Sequence, residues 1–189
     1  NFSTPQFVTG TPASYTVTGK TLALQKTANP SQNAKSGDTI TYTLSFQLSD
    51  FFALSNFTID DLLSDGQDFD ASFTPTISFT QKAESFVAQP FSGGNYTVNA
   101  TNPNGTTTVD FDVSAQLAAL GLATGTKLVG AGIPNTGTGG PEPNPLPGGP
   151  GTTGTITFKT VVRNTYRKDG SEVRSEEHTS ELQSRQYLV

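Results

Sequence analysis

The sequence predicts an all-β protein built as an antiparallel β-sandwich, with one short connecting helix and a long Gly/Pro-rich loop. Three observations carry the expectation. Apolar and polar residues alternate with period two over most of the chain, the rhythm of strands that bury one face. Only one segment, SAQLAALG at 114–121, has helical spacing. The links between alternating runs hold Gly, Asn and Asp, residues that suit tight turns, and many strands with few helices favour two packed sheets.

Taken in order, TLALQKT places Leu22, Leu24 and Lys26 on one strand face. Ser36, Gly37 and Asp38 make a turn. TITYTLSFQLS then alternates strictly, with Ile40, Tyr42, Leu44, Phe46 and Leu48 inward and Thr or Ser opposite. NFTIDDLL aligns Phe57, Ile59, Asp61 and Leu63 before a turn at Asp65–Gly66. FTPTISFT is a weaker strand, and Pro75 places it at a sheet edge, because proline cannot donate to a ladder. NYTVNATNPNGTTTVDFDV reads as a hairpin, Tyr96 and Val98 facing Val109, Phe111 and Val113 across Asn104–Gly105. In SAQLAALG, Leu117 and Leu120 lie three apart, Ser114 is placed to cap the start and Gly121 to end it. Residues 130–154 are Gly, Pro, Asn and Thr with little apolar content, a loop without a core of its own. GTITFKTVVRNTYR returns to strand, with Ile156, Phe158, Val162 and Asn164 sharing parity.

Composition excludes several function classes. The chain has 189 residues, no Cys, no Trp, no Met, 13 Phe and 5 Tyr. Without Cys there are no disulfides and no thiolate metal sites. A net charge of −5 offers no basic stripe for nucleic acid. No run approaches the roughly 20 apolar residues that span a bilayer, so no membrane insertion is expected of this fragment. Asn1, with no Met and no leader-like run behind it, reads as a cut inside a longer chain.

The stretch RSEEHTSELQS at residues 174–184 departs from all that precedes it. It matches the peptide obtained by translating a common short-read sequencing adapter, so residues 174–189 are read as an adapter-derived, non-native tail on an environmental fragment. Without its two Arg and three Glu the chain carries 9 basic and 13 acidic residues, a net charge of −4. His178, the only His, leaves the set of candidate residues, and no Ser–His relay is then possible. No phosphate loop, Gly-x-Ser-x-Gly elbow or metalloprotease helix appears, and the chain is not expected to be an enzyme or to hold a cofactor.

KTANPSQNAKSGDTITYTLSFQLS, then NFTIDDLLSDGQDF, then GTITFKTVVRNTYRKDGSEV together resemble the Ig-like repeat domains of large bacterial surface and fimbrial-type adhesins. Three blocks of that family's pattern stand in order between Thr21 and Val173; the closing Asn-Thr-Ala block is missing where the tail begins. The resemblance implies residues 1–18 as a linker or the end of a preceding repeat, and residues 19–173 as an Ig-like sandwich whose last strand is lost. It implies an extracellular, cell-surface stalk module whose partners are neighbouring repeats and an unspecified receptor. The lost strand would leave an unpaired edge that invites association.

Some members of that family close an intramolecular Lys–Asn isopeptide bond assisted by a buried acid. Such chemistry needs a neutral amine and a protonated carboxyl, both favoured by burial. Lys26 and Asp61 have inward parity and are the candidates. Family spacing puts the acceptor Asn beyond Val173, with Asn164 as the substitute present in this chain. Asp65, Asp68 and Asp70 are weaker calcium candidates, since DDLLSDGQDFD lacks the ligand order of an EF-hand loop. Asn-x-Ser/Thr triplets begin at Asn1, Asn56, Asn95, Asn99 and Asn104, a frequency that this Asn- and Thr-rich composition produces without glycosylation. Two other readings stay open. A carbohydrate- or protein-binding sandwich would ordinarily show exposed Trp or Tyr, and a surface-layer or phage structural repeat uses similar modules.

Overall fold

The computed structural model describes residues 21–122, 127–132 and 151–173. Residues 1–18, most of the loop expected over 130–154, and the tail with His178 lie outside them. The described chain is an antiparallel β-sandwich. Its larger sheet has the order β1-β2-β11-β6-β7, with β5 also on β11; the facing sheet has the order β4-β9-β8, and β3 pairs β10 separately. The strands are β1 Leu22–Asn29, β2 Thr39–Leu48, β3 Ala53–Leu54, β4 Thr58–Leu63, β5 Gln67–Phe69, β6 Thr76–Gln81, β7 Glu84–Pro90, β8 Tyr96–Asn99, β9 Thr107–Asp112, β10 Leu128–Val129 and β11 Thr153–Val162, with α1 at Val113–Ala119.

Alternation in β2 puts Ile40, Tyr42, Leu44, Phe46 and Leu48 in the core, against β1 on one side and β11 on the other. Phe158 of β11 stacks on Tyr42 with centroids 5.3 Å apart and meets Phe111 of β9 at 5.6 Å. Phe46 meets Phe57 edge-on at 5.3 Å. These rings join the layers, and offset or edge-on pairs add to the burial of their area. Gly154 permits one close approach: a Cβ there would stand 2.3 Å from the Phe46 ring.

Three readings change in the structure. Pro75 precedes β6, and β6 lies between β11 and β7 rather than at an edge. Once the proline sits outside the ladder its missing N–H costs nothing. Among the described residues β7, at the edge beyond β6, breaks alternation at a bulge opposite Ile77/Phe79, with Ala88 at φ 47°. Asp112, not Ser114, caps α1, accepting from Ala115 N at 2.8 Å; Ser114 is buried and accepts from Phe57 N at 2.7 Å. Val113 therefore begins the helix instead of extending the hairpin, whose pairs are Tyr96–Phe111 and Val98–Val109. Finally, β11 starts at Thr153, inside the stretch expected as loop. The ends of that stretch are fixed by Gln81, whose buried Oε1 accepts from Val129 N at 2.9 Å and Thr152 Oγ1 at 2.6 Å.

Gly154→Ala is expected to lower stability by about 1–3 kcal/mol, through displacement of the Phe46 ring. Phe158→Ala is expected to cost about 3–5 kcal/mol. Urea unfolding of the two variants reads both, and an unchanged midpoint for Gly154→Ala would contradict the close packing described.

Candidate functional site

Lys26 and Asp61 meet between the two sheets. Lys26 Nζ donates to Asp61 Oδ1 at 2.9 Å and Oδ2 at 2.7 Å, with the two side chains 8% and 1% exposed. Strand parity places them: Lys26 follows Leu22 and Leu24 on the inner face of β1, and Asp61 lies between Ile59 and Leu63 on that of β4. Among the described residues β1 pairs only with β2, and β4 only with β9. The ion pair thus joins the edge strand of one sheet to the edge strand of the other.

Tyr42 forms the floor of the site. Lys26 Nζ stands 4.2 Å above the centre of its ring, where the negative face of the π system attracts a cation. The Tyr42 hydroxyl donates to Gln67 Oε1 at 2.9 Å, Thr160 Oγ1 donates to the same oxygen at 2.9 Å, and Gln67 Nε2 donates to Ser64 Oγ at 3.0 Å. Burial raises the Tyr42 phenol above its usual range, so it remains a donor and the ring stays fixed. Burial also lowers the Lys26 amine, opposed by the charge and hydrogen bonds of Asp61. Moving one proton from Nζ to the carboxylate turns the ion pair into a neutral amine touching a carboxylic acid. In that form the amine can act as a nucleophile and the carboxyl as a proton donor.

Asn164 does not join this pair. β11 ends at Val162, and Arg163 N bonds to Gly66 O at 2.8 Å, which turns the chain out of the strand line. Asn164 is exposed, and its side-chain oxygen accepts from Ser36 Oγ. Parity carries only as far as the pleat does, and the pleat stops two residues early. The chain then forms a hairpin in which Thr165 pairs Glu172.

The calcium candidates are engaged separately. Asp65 accepts from the backbone N of Arg167 at 2.7 Å and of Lys168 at 3.0 Å. Asp68 pairs with Arg163 at 2.9 Å and with Arg167. Asp70 accepts from Ser72 N at 3.0 Å and Ser72 Oγ at 2.5 Å. Among the described residues no group of three His, Cys, Asp or Glu gathers as a metal site. Arg167, which nothing in the sequence singled out, is the hub here: its Nη1 also donates to Gly105 O at 3.2 Å and Thr107 Oγ1 at 2.6 Å. It ties the final hairpin to the β4–β5 turn and to the start of β9. Tyr42 and Gln67 were likewise not marked as site residues, because inward parity gives Tyr42 only a core role and Gln67 stands in a turn-like run.

No family model matches this sequence, and no curated protein matches it. Among solved structures the chain is similar to the full-length major pilin SpaD of Corynebacterium diphtheriae, at 17% identity and TM-score 0.37, covering 76% of this chain and 27% of that one. It is also similar to the pilus backbone protein RrgB of Streptococcus pneumoniae, at 11% identity and TM-score 0.38, covering 76% of this chain and 46% of that one. A third likeness is to the group B streptococcus pilus 2b backbone protein, at 12% identity and TM-score 0.34, covering 87% and 56%. The chain spans from about a quarter to just over half the length of these proteins. Likenesses at such scores carry no argument about role, which rests on the residues themselves. No described helix is long and apolar enough to cross a membrane.

Removing one charge of a buried pair strands the other. Lys26→Met is expected to cost about 3–5 kcal/mol, whereas Lys26→Met with Asp61→Leu restores wild-type stability or exceeds it; denaturant unfolding of both variants checks the contrast. The folded Lys26 amine loses its proton below the ordinary value of 10.5. Between that lowered value and 10.5 the unfolded chain binds the extra proton, so stability rises with pH across this window. The double variant is expected to lack that rise, and equal slopes for the two proteins would refute the assignment.

Proposed function

We propose that this chain is a structural module of a secreted or cell-surface bacterial protein, a stalk unit that spaces or displays a binding region. Lys26 and Asp61 are the amine and acid of its intramolecular isopeptide site, and the acceptor amide comes from outside residues 21–173. The observation that carries the reading is the buried contact of Lys26 and Asp61 between two edge strands over the Tyr42 ring. The ordered sequence blocks shared with surface-adhesin repeats support it. So do the modest charge of the chain and the absence of Cys, since a Cys-free module gains from another kind of crosslink.

The step balances without an oxidant. Neutral Lys26 Nζ attacks the carboxamide carbon of the incoming Asn while protonated Asp61 donates to the amide oxygen. The carbon–nitrogen bond to the leaving NH2 breaks, that nitrogen takes up the amine proton, and one ammonia departs. Asp61 ends as the acid it was, and a Nζ–carbonyl bond holds β1 to the strand that brought the acceptor. A covalent tie at an edge strand resists peeling of that strand, which a pulled stalk needs.

The expected outcome is a mass lower by one ammonia for the protein made from the gene continued past Val173, with the full mass returning in Lys26→Ala and Asp61→Ala. Intact mass spectrometry distinguishes the cases, and a full mass for the unsubstituted protein sinks the proposal.

A further inference from the structure

The outer face of the larger sheet has no part in the Lys26–Asp61 site. Gln25, Ser45, Thr155 and Ser78 stand side by side across β1, β2, β11 and β6, and Gln47 and Thr153 begin the adjacent row. With Ala23, Leu24, Phe86 and the exposed Val87 they line a concave groove of about 470 Å³, within the roughly 300–1,000 Å³ range of small-molecule clefts. The bulge near Ile77/Phe79, where Ala88 N donates to Ser78 Oγ at 3.0 Å, bends β7 at one end of the groove. Edge strand β1 forms the other end.

Two properties set this groove apart. First, among the described residues no Asp, Glu, Lys or Arg lines it, although the chain carries a net charge of −5. Second, the polar side chains along its β1, β2 and β11 rows are unspent, whereas at the β6–β7 end Ser78 Oγ accepts from Ala88 N and Thr80 Oγ1 lies 3.5 Å from Ser85 Oγ. Elsewhere surface hydroxyls close on near neighbours, as Thr97 does on Asp110, Thr101 on Asn99 and Ser171 on Asp169. Among the described residues the side chains of Gln25, Ser45, Gln47, Thr153 and Thr155 have no such partner.

These features define the occupant. A charged ligand finds no counter-charge, and an apolar one leaves hydroxyls and amides unsatisfied. A peptide strand is recognised by addition to a sheet edge, and a polyproline-type peptide by an aromatic-lined groove; a mostly hydroxyl- and carboxamide-lined sheet face suits neither. A polymer of hydroxyls, each both donor and acceptor, matches hydroxyl and carboxamide side chains that also do both. We propose that the groove binds a segment of uncharged polysaccharide. Phe46 and Phe79 are turned inward, and the half-buried Phe86 at the β7 end is already stacked on Phe79, so the binding is weak and set mainly by hydrogen bonds.

The test is a nitrogen-15 NMR titration of the full chain at millimolar sugar, using cellohexaose, xylohexaose and chitohexaose, with hexagalacturonate as the charged control. The expected result is saturable shifts at Gln25, Ser45, Gln47, Thr153 and Thr155 with at least one neutral sugar. Binding should weaken roughly tenfold in Gln25→Ala/Gln47→Ala and stay unchanged in Thr97→Ala on the opposite sheet. Both variants are first required to keep the core spectrum of the wild type. The proposal is overturned if no neutral sugar shifts the groove, if hexagalacturonate binds as well, or if the double variant binds like wild type. None of these results depends on whether Lys26 forms a crosslink.

Discussion

The contact between Lys26 and Asp61 is the constraint around which the sandwich is organised. It is the charged contact that joins β1 to β4 through the interior, and each partner alone would be a buried charge of high cost. Taking both ions out of water offsets most of their mutual attraction, so the pair is poorly explained as a source of stability. Two leucines would fill the same space more cheaply. What the pair supplies is register: with Asp61 inward on β4 and Lys26 inward on β1, a slip of one residue in either strand would carry a charge to the opposite face.

The residues beneath the pair follow from that constraint. The Tyr42 ring holds the ammonium from below, and its hydroxyl needs a partner because it is sealed from water. Gln67 supplies that partner, and Thr160 donates to the same carboxamide oxygen. The polar chain therefore runs from Asp61 through Lys26 and Tyr42 to β5 and β11 with its groups satisfied, as a buried network must be if it is to fix one arrangement.

At the far end of β4 the acidic residues do different work. Asp65 accepts from the backbone N–H groups of Arg167 and Lys168, and Asp68 pairs with the Arg163 and Arg167 side chains, holding the last hairpin against the β4–β5 turn. Gly66, at φ 99°, adopts a backbone conformation that strains other residues, and a Cβ there would press on Tyr166 and Val173 at 3.1 Å. Val173 consequently leaves the described chain packed against the core at that turn. Of the aspartates that suggested a cation site, Asp70 closes on nearby Ser72, while Asp68 is held by two arginines and Asp65 by backbone N–H groups about a hundred positions later in sequence. No local pattern announces such a meeting.

Period-two alternation by itself determined the strand faces: the inward rows of β2, β4 and β11, the hairpin β8–β9, and the inward direction of both Lys26 and Asp61. Those features are local, because a pleat sends successive side chains to opposite faces whatever the rest of the chain does. Only the tertiary structure decided that β6 is interior, that Asp112 caps the helix, that Asn164 turns away into solvent, and that Tyr42 and Gln67 complete the site. Each of these depends on which distant backbone lies alongside, and alternation says which way a residue points but not what it will meet.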